Sequence, residues 1–403
     1  MAPLAVSAMA RLCSAGFLAI NVALALVTGI AALFFAFGGY LGQLGISPAM
    51  SGLVLSADAL AALIVQPLIA PLINPASARR WLAGGSLLLA AALFALAHVT
   101  SLPGLLAARL VQGSGFICVL SALTALLVGF IPPAMSGRAF GLASLVRLLP
   151  YAVVPFAFDR YAPAVRDFAT LLDAAAAIAL LPLFLLLLPA TAAAPTDTGS
   201  GGGAAGVPGF AGLAASLRSP AVAVVLGSAL LFFCAYAAIF FFLRPYGAAR
   251  GIANVSLFFT VTTLVMIAAR LAGGALFDRY DKSWLASAGL LLVAASYAGL
   301  AFDVGPTAFF VLAVLTGLGW GVAMPLQAAA MFDISDAPAR AMNQNLLLVM
   351  MQGGFFVGPA GGGVLISAFG YAVFFAVLAA ATLVSAALML NLRRLAPAAA
   401  SAS

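Results

Sequence analysis

The chain has 403 residues, 65% of them hydrophobic and 7% charged, with a formal net charge of +7 and a mean hydropathy of +1.21. A soluble domain carries about 25% charged residues, so a chain this apolar is built for lipid. With no Glu, one Lys (Lys282), one His (His98) and three scattered Cys (Cys13, Cys118, Cys234), it offers no disulfide framework, no metal-ligand spacing and no basis for a Ser-His-Asp triad. ATP-driven chemistry within the polypeptide is excluded as well, because a Walker A loop needs Gly immediately before its Lys and Lys282 follows Asp281.

The first apolar run, near 13–37, is too long for a signal-peptide core and lacks a small-residue cleavage site, so it reads as a retained spanning helix. Further runs long enough to cross a bilayer follow near 49–73, 81–99, 104–131, 139–158 and 168–189. The stretch PATAAAPTDTGSGGGAAGVPG, residues 189–209, breaks the series with the Gly/Ser bias of a flexible linker. Six more runs come near 221–244, 254–277, 284–302, 307–332, 342–366 and 370–391. Lipid requires backbone groups satisfied within each span, and no period-2 alternation is present, so the expectation is an all-α membrane protein of twelve transmembrane helices. Its domains would be an N-terminal six-helix bundle (1–189), a cytoplasmic linker (190–220) and a C-terminal six-helix bundle with a short tail (221–403).

With a cytoplasmic N-terminus, one side receives Arg11, Arg79, Arg80, Arg138, Arg218, Arg279, Lys282, Arg340, Arg393 and Arg394, and the other Arg160, Arg166 and Arg250. That asymmetry follows the positive-inside rule with both termini cytoplasmic. Because the charges are spread over short loops, the net charge is a topology signal and nucleic acid is not an expected partner.

The halves repeat. RLAGGALFDRYDKSW (270–284) aligns with QPLIAPLINPASARRW (66–81) if one residue is inserted, placing Gln66 opposite Arg270 and Asn74 opposite Asp278. QGSG (112–115) and TGLG (316–319) share their glycine spacing. Internal repeats of this kind build many secondary transporters.

On these motifs the chain resembles the major facilitator superfamily, and within it the bacterial drug:proton antiporters often labelled arabinose-efflux-permease-like. The signature R-P-L-x-G-x-L-x-D-R-x-G-R-R is degraded after helix 2, where Gln66, Ala70 and Asn74 replace its Arg, Gly and Asp. It is better kept after helix 8 as Arg270, Gly274, Leu276, Asp278 and Arg279. R-x-x-Q-G-x-G is intact in helix 4 as Arg109, Gln112, Gly113 and Gly115. The exporter-associated G-x-x-x-G-P-x-x-G-G is lost from helix 5 but complete in helix 11 as Gly354, Gly358, Pro359, Gly362 and Gly363.

The resemblance implies alternating access across a bacterial inner membrane, a conformational latch at Asp278, Arg279, Gly274, Arg270 and Asn74, and a central cavity lined by helices 1, 4, 7 and 10. Those helices offer Asn21, Ser121, Thr124, Tyr236, Trp320 and Gln327, with Gln352 of helix 11 in reach. Glycine-rich helix 11 reads as a packing element, since small residues let membrane helices approach.

Ionisable residues inside a bilayer are costly and point to function. Asp58 is the one carboxylate well inside a span; it is either a proton-coupling site or one member of a static ion pair with Arg109 or Arg147. Arg109 is read as charge relay or scaffold. Arg147, which the family pattern does not require, is a substrate-binding candidate suited to carboxylate or phosphate. The expected activity is proton-coupled efflux of a small organic solute, with an organic-anion importer or exchanger using Arg147, or a non-transporting membrane sensor, as alternatives. No cofactor, metal or enzymatic reaction is expected. The partners are a small-molecule substrate, protons and the lipid bilayer, and the chain is expected to act as a monomer.

Overall fold

The computed structural model describes residues 14–73, 76–128, 130, 136–161, 167–187, 216–252, 254–302, 305–336 and 339–395, excluding the side chains of 71, 136–141, 274–279 and 341. Among the described residues there are helices and turns, with no strand. Helix α1 (Ala15–Gln43) passes through a tight 3-10 turn at Phe34–Ala36. It is followed by α2 (Pro48–Ile69), α3 (Ala78–His98), α4 (Leu102–Val128), α5 (Ser136–Tyr161) and α6 (Phe168–Leu187). The second series is α7 (Pro220–Ala249), α8 (Ser256–Arg279), α9 (Lys282–Leu300), α10 (Pro306–Asp333) and one long element, Arg340–Leu395. Gly370 breaks that last element with φ 77° and ψ 179°, giving α11 (340–369) and α12 (371–395). The twelve-helix membrane fold is therefore the observed one.

Helix boundaries follow ordinary capping chemistry. The side chains of Ser14, Asp167 and Asp281 accept hydrogen bonds from the backbone N–H of Phe17, Thr170 and Trp284, satisfying donors that the first turn leaves free. Pro220 and Pro306 sit at first helical positions, where a missing N–H costs nothing.

The described residues form two compact units, 14–40 with 57–187 and 41–56 with 216–395. In the first, α1 packs on α4 and α5, and α3 packs on α4 and α6. Its core joins Phe17, Ile20, Leu24 and Val27 of α1 to Val119, Leu123 and Leu127 of α4. In the second, α7 packs on α11–α12, α8 on α10, and α9 on α10 and α11–α12. Residues 41–56, which include the first turns of α2, pack with the second unit. There the Ala49 N–H donates to Ser367 Oγ at 3.0 Å, and Gly52 lies against the Pro359 carbonyl and Gly363.

The repeat recognised from glycine spacing is built into the packing. A Cβ on Gly113 would meet Asp58 backbone atoms of α2 (Cα at 2.6 Å), and one on Gly317 would meet Thr262 of α8 (Cα at 3.1 Å). Gly115 rests on Leu89 of α3, and Gly319 on Val293 of α9. Gly85 of α3 rests on Val119, and Gly289 of α9 on Ala323. One constant offset along the chain relates all these pairs. Each unit thus uses glycines of its fourth helix to draw in its second and third.

Candidate functional site

Close approach at Gly113 brings Asp58 of α2 within reach of Arg109 of α4, one turn away. The carboxylate Oδ1 lies 2.7 Å from Arg109 Nη2; the arginine side chain is 0% exposed, while 31% of the aspartate side chain stays open. Arg109 Nη1 donates to Gln112 Oε1, and the guanidinium lies over Phe34 (4.3 Å to the centroid) and near Phe37 (5.6 Å). A buried arginine is tolerable only when paired and hydrogen-bonded. Here a carboxylate, an amide and two aromatic faces share that task. Of the two pairings open in the sequence, the structure makes Asp58–Arg109; Arg147 is engaged elsewhere.

Arg147 of α5 donates from Nη2 to Thr124 Oγ1 at 2.9 Å, and its buried Nε has no partner. The Thr124 hydroxyl proton is committed to the Leu120 carbonyl at 2.7 Å, which leaves the oxygen lone pairs free to accept from Arg147. Ser121 stands three residues earlier on α4, half-buried. Asn21 of α1 donates to the Phe17 carbonyl at 2.8 Å, and its buried Oδ1 is unpaired.

The second unit has no equivalent ion pair at this level. At the positions matching Asp58 and Arg109 stand Thr262 and Ala313, joined by a bond from Thr262 Oγ1 to the Ala313 carbonyl at 3.0 Å. A neutral side-chain-to-backbone bond has replaced a salt bridge. Tyr236 of α7 packs against Trp320 of α10 (ring centroids 4.1 Å apart) and Phe355 of α11 (5.7 Å). Trp320 Nε1 donates to the Tyr297 hydroxyl at 3.1 Å. Gln327 donates to Ser228 Oγ at 2.9 Å, within a buried Ser228–Ser385 pair, and its Oε1 is unpaired. Gln352 is half-buried on α11.

Arg270 lies on α8 with the other latch residues Gly274, Asp278 and Arg279, and its Nη2 is on Met324 Sδ (3.1 Å) and Met266 Sδ (3.8 Å). Asn74 and the side chains of Asp278 and Arg279 fall outside the described residues, as does the surrounding of Gly274. The neighbouring loop charges are engaged within the second unit. Lys282 Nζ lies 2.5 Å from Asp333 Oδ2 on α10, and Asp281 Oδ2 lies 3.7 Å from Arg393 Nε on α12. Arg244 donates to the Ser256 hydroxyl at 3.2 Å.

In α11, Gly354 and Gly358 press on α7 at Phe233 and Cys234, Gly362 meets Phe374 of α12, and Gly363 and Pro359 face residues 48–52. Sequence reasoning missed Phe34 and Phe37 as the bed for Arg109, and Tyr297, Met266, Met324 and Phe355 in the second unit. A readable sign was there for Met324: Trp320, Met324 and Gln327 recur at helical spacing on one face of α10.

Comparison with curated proteins gave no match. Among solved structures, the chain is similar to the nucleoside transporter NupG, with 17% identity and a TM-score of 0.77 over 94% of this chain and 100% of that one. It is similar to a POT family transporter in complex with 5-aminolevulinic acid, with 14% identity and a TM-score of 0.75 over 94% and 96% of the two chains. A bacterial homologue of the human lysosomal transporter Spinster, inward-facing and unoccupied, gives 14% identity and a TM-score of 0.73 over 94% and 95%. At such identities the likeness is one of fold. The sequence pattern described as Major Facilitator Superfamily matches residues 17–282 and 251–403, nearly the whole chain. Twelve spans, paired units and that match together place the chain in the major facilitator superfamily.

Proposed function

We propose that this multi-pass membrane protein is a secondary transporter that exports a small organic solute in exchange for protons, by alternating access across the bacterial inner membrane. Both termini are cytoplasmic in this reading, and residues 1–189 and 221–403 are the moving bundles joined by 190–220. The latch assigned to Asp278, Arg279, Gly274, Arg270 and Asn74 belongs to the same proposal. The motif resemblance to drug:proton antiporters supports the direction of transport.

The observation that carries the reading is the Asp58–Arg109 pair. Asp58 lies ~15 Å into α2 at 1.5 Å per residue, near the middle of a bilayer. Charged, it is held by Arg109. Protonated, it loses the Coulombic part of that bond and becomes a weak partner. Arg109 stays in place, because Gln112 and the Phe34 ring still hold it. A carboxylate partly open, beside a cation fixed independently of it, is an element that one proton biases between two arrangements.

A second reading, an organic-anion importer or exchanger, is favoured by the unpartnered Nε of Arg147. Proteoliposomes carrying a pH dye inside discriminate. Solute-driven proton flux that disappears in Asp58→Asn is the expected result. Solute exchange indifferent to pH would favour the second reading, and no flux of any solute would leave a sensor.

A further inference from the structure

The second unit holds a cation that no described residue neutralises. Arg270 lies on α8 ~21 Å from the helix start and ~14 Å from its end, at 1.5 Å per residue. Among the described residues its Nη2 meets only the thioether sulfurs of Met324 and Met266, which are weak acceptors. Its Nε is buried with no acceptor. Among the described residues no carboxylate pairs with it, whereas the deep arginine of the first unit has Asp58. An unpaired guanidinium at this depth is expensive to keep.

The groups beside it are aromatic. Tyr236 packs on Trp320, one turn from the Met324 whose sulfur meets Arg270. Its ring stands 4.1 Å from Trp320 and 5.7 Å from Phe355, and its hydroxyl has no hydrogen-bond partner among the described residues. Trp320 and Met324 are one turn apart on α10, so the indole and the sulfur that meets Arg270 share a helix face.

We infer that Arg270, Tyr236 and Phe355, with the buried Trp320 packed behind Tyr236, form a binding site for an organic anion, a carboxylate borne on a planar apolar body. The carboxylate accepts from the Nε and Nη2 edge of Arg270 and from the Tyr236 hydroxyl, and the body lies against the half-buried Tyr236 and Phe355 rings, close enough to Trp320 for its fluorescence to report occupancy. The site supplies the acceptors and the negative charge that the protein withholds from Arg270. This inference rests on reading the chain as a transporter of a small solute, and it names the class of that solute.

The test uses the purified full-length chain with Trp81→Phe and Trp284→Phe, which leaves Trp320 as the sole tryptophan. Benzoate and phenylacetate are titrated against its fluorescence, with benzamide as the neutral match. Saturable quenching by the carboxylates is expected, at least tenfold weaker for benzamide and abolished in Arg270→Gln. Arg270→Lys, which keeps the charge without the planar fork, is expected to bind at least tenfold more weakly; with the benzamide comparison it keeps the test decisive if Arg270→Gln does not fold. The inference is overturned if neither carboxylate quenches up to about 10 mM, if benzamide binds as well, or if binding survives Arg270→Gln and is lost in Arg147→Gln instead. Proteoliposome flux separates this site from the transport reading. Arg270-dependent binding without flux keeps the site and removes the transporter, and flux unchanged in Arg270→Gln does the reverse.

Discussion

Removing Asp58 leaves Arg109 buried with its charge uncompensated. Losing one partner of a buried ion pair costs about 3–5 kcal/mol. Two features of this site lower that figure: the aspartate side chain is 31% open, and Arg109 keeps Gln112 and the Phe34 face. The cation–π contact alone is worth about 0.5–2 kcal/mol. Asp58→Ala should therefore destabilise the first unit by about 2–3 kcal/mol. Asp58→Asn, whose amide oxygen still accepts from Arg109, should cost about 1 kcal/mol. Arg109→Met strands a partly open carboxylate and should cost about 2 kcal/mol. The double variant Asp58→Ala, Arg109→Met strands nothing, so its cost should fall short of the sum of the singles by about 2 kcal/mol. SDS-titration unfolding in mixed micelles measures the cycle, with a thiol-reactive dye reporting exposure of buried Cys118. A coupling below about 0.5 kcal/mol would mean that the two side chains act independently, and the proton-switch argument would lose its basis.

Further outcomes follow from the packing. Gly113→Ala puts a methyl against the Asp58 backbone and should push α2 off α4, reproducing the loss of proton coupling without touching either charge. Gly84→Ala, with nothing within 4 Å, should be neutral or stabilising by up to about 1 kcal/mol, and thermal unfolding compares the two. Gly363→Val should detach residues 48–52 from α11, measured as faster maleimide labelling of a cysteine at Ala49; unchanged labelling would mean that the Gly52–Gly363 approach does not hold this segment. Gly370→Ala forces a side chain into a positive-φ, extended-ψ backbone that is essentially reserved for glycine and should cost about 1–3 kcal/mol in the same unfolding assay, whereas Gly361→Ala, in open space on α11, should not.

Span number and fold were legible in the sequence because a bilayer imposes a length and a hydropathy that no other solvent demands. The repeat was legible too, since a glycine at a close helix crossing cannot drift without a clash: Gly113 and Gly317, Gly115 and Gly319 recur at the same spacing. Helix rotation was a different matter. In water a helix shows its buried face as an apolar stripe. In lipid both faces are apolar, and α4 and α5 carry almost no such stripe.

Hence the sequence alone determined which residues were deep and charged, while only the tertiary structure decided which of them meet. It chose Arg109 over Arg147 as the partner of Asp58 and laid Arg109 on Phe34 and Phe37. It also set Arg270 of α8 between the sulfurs of Met266 and Met324. The physical reason is that depth is a one-dimensional property of the chain, read by counting residues. Pairing depends on the rotation of each helix about its own axis, and only the packed neighbours supply that.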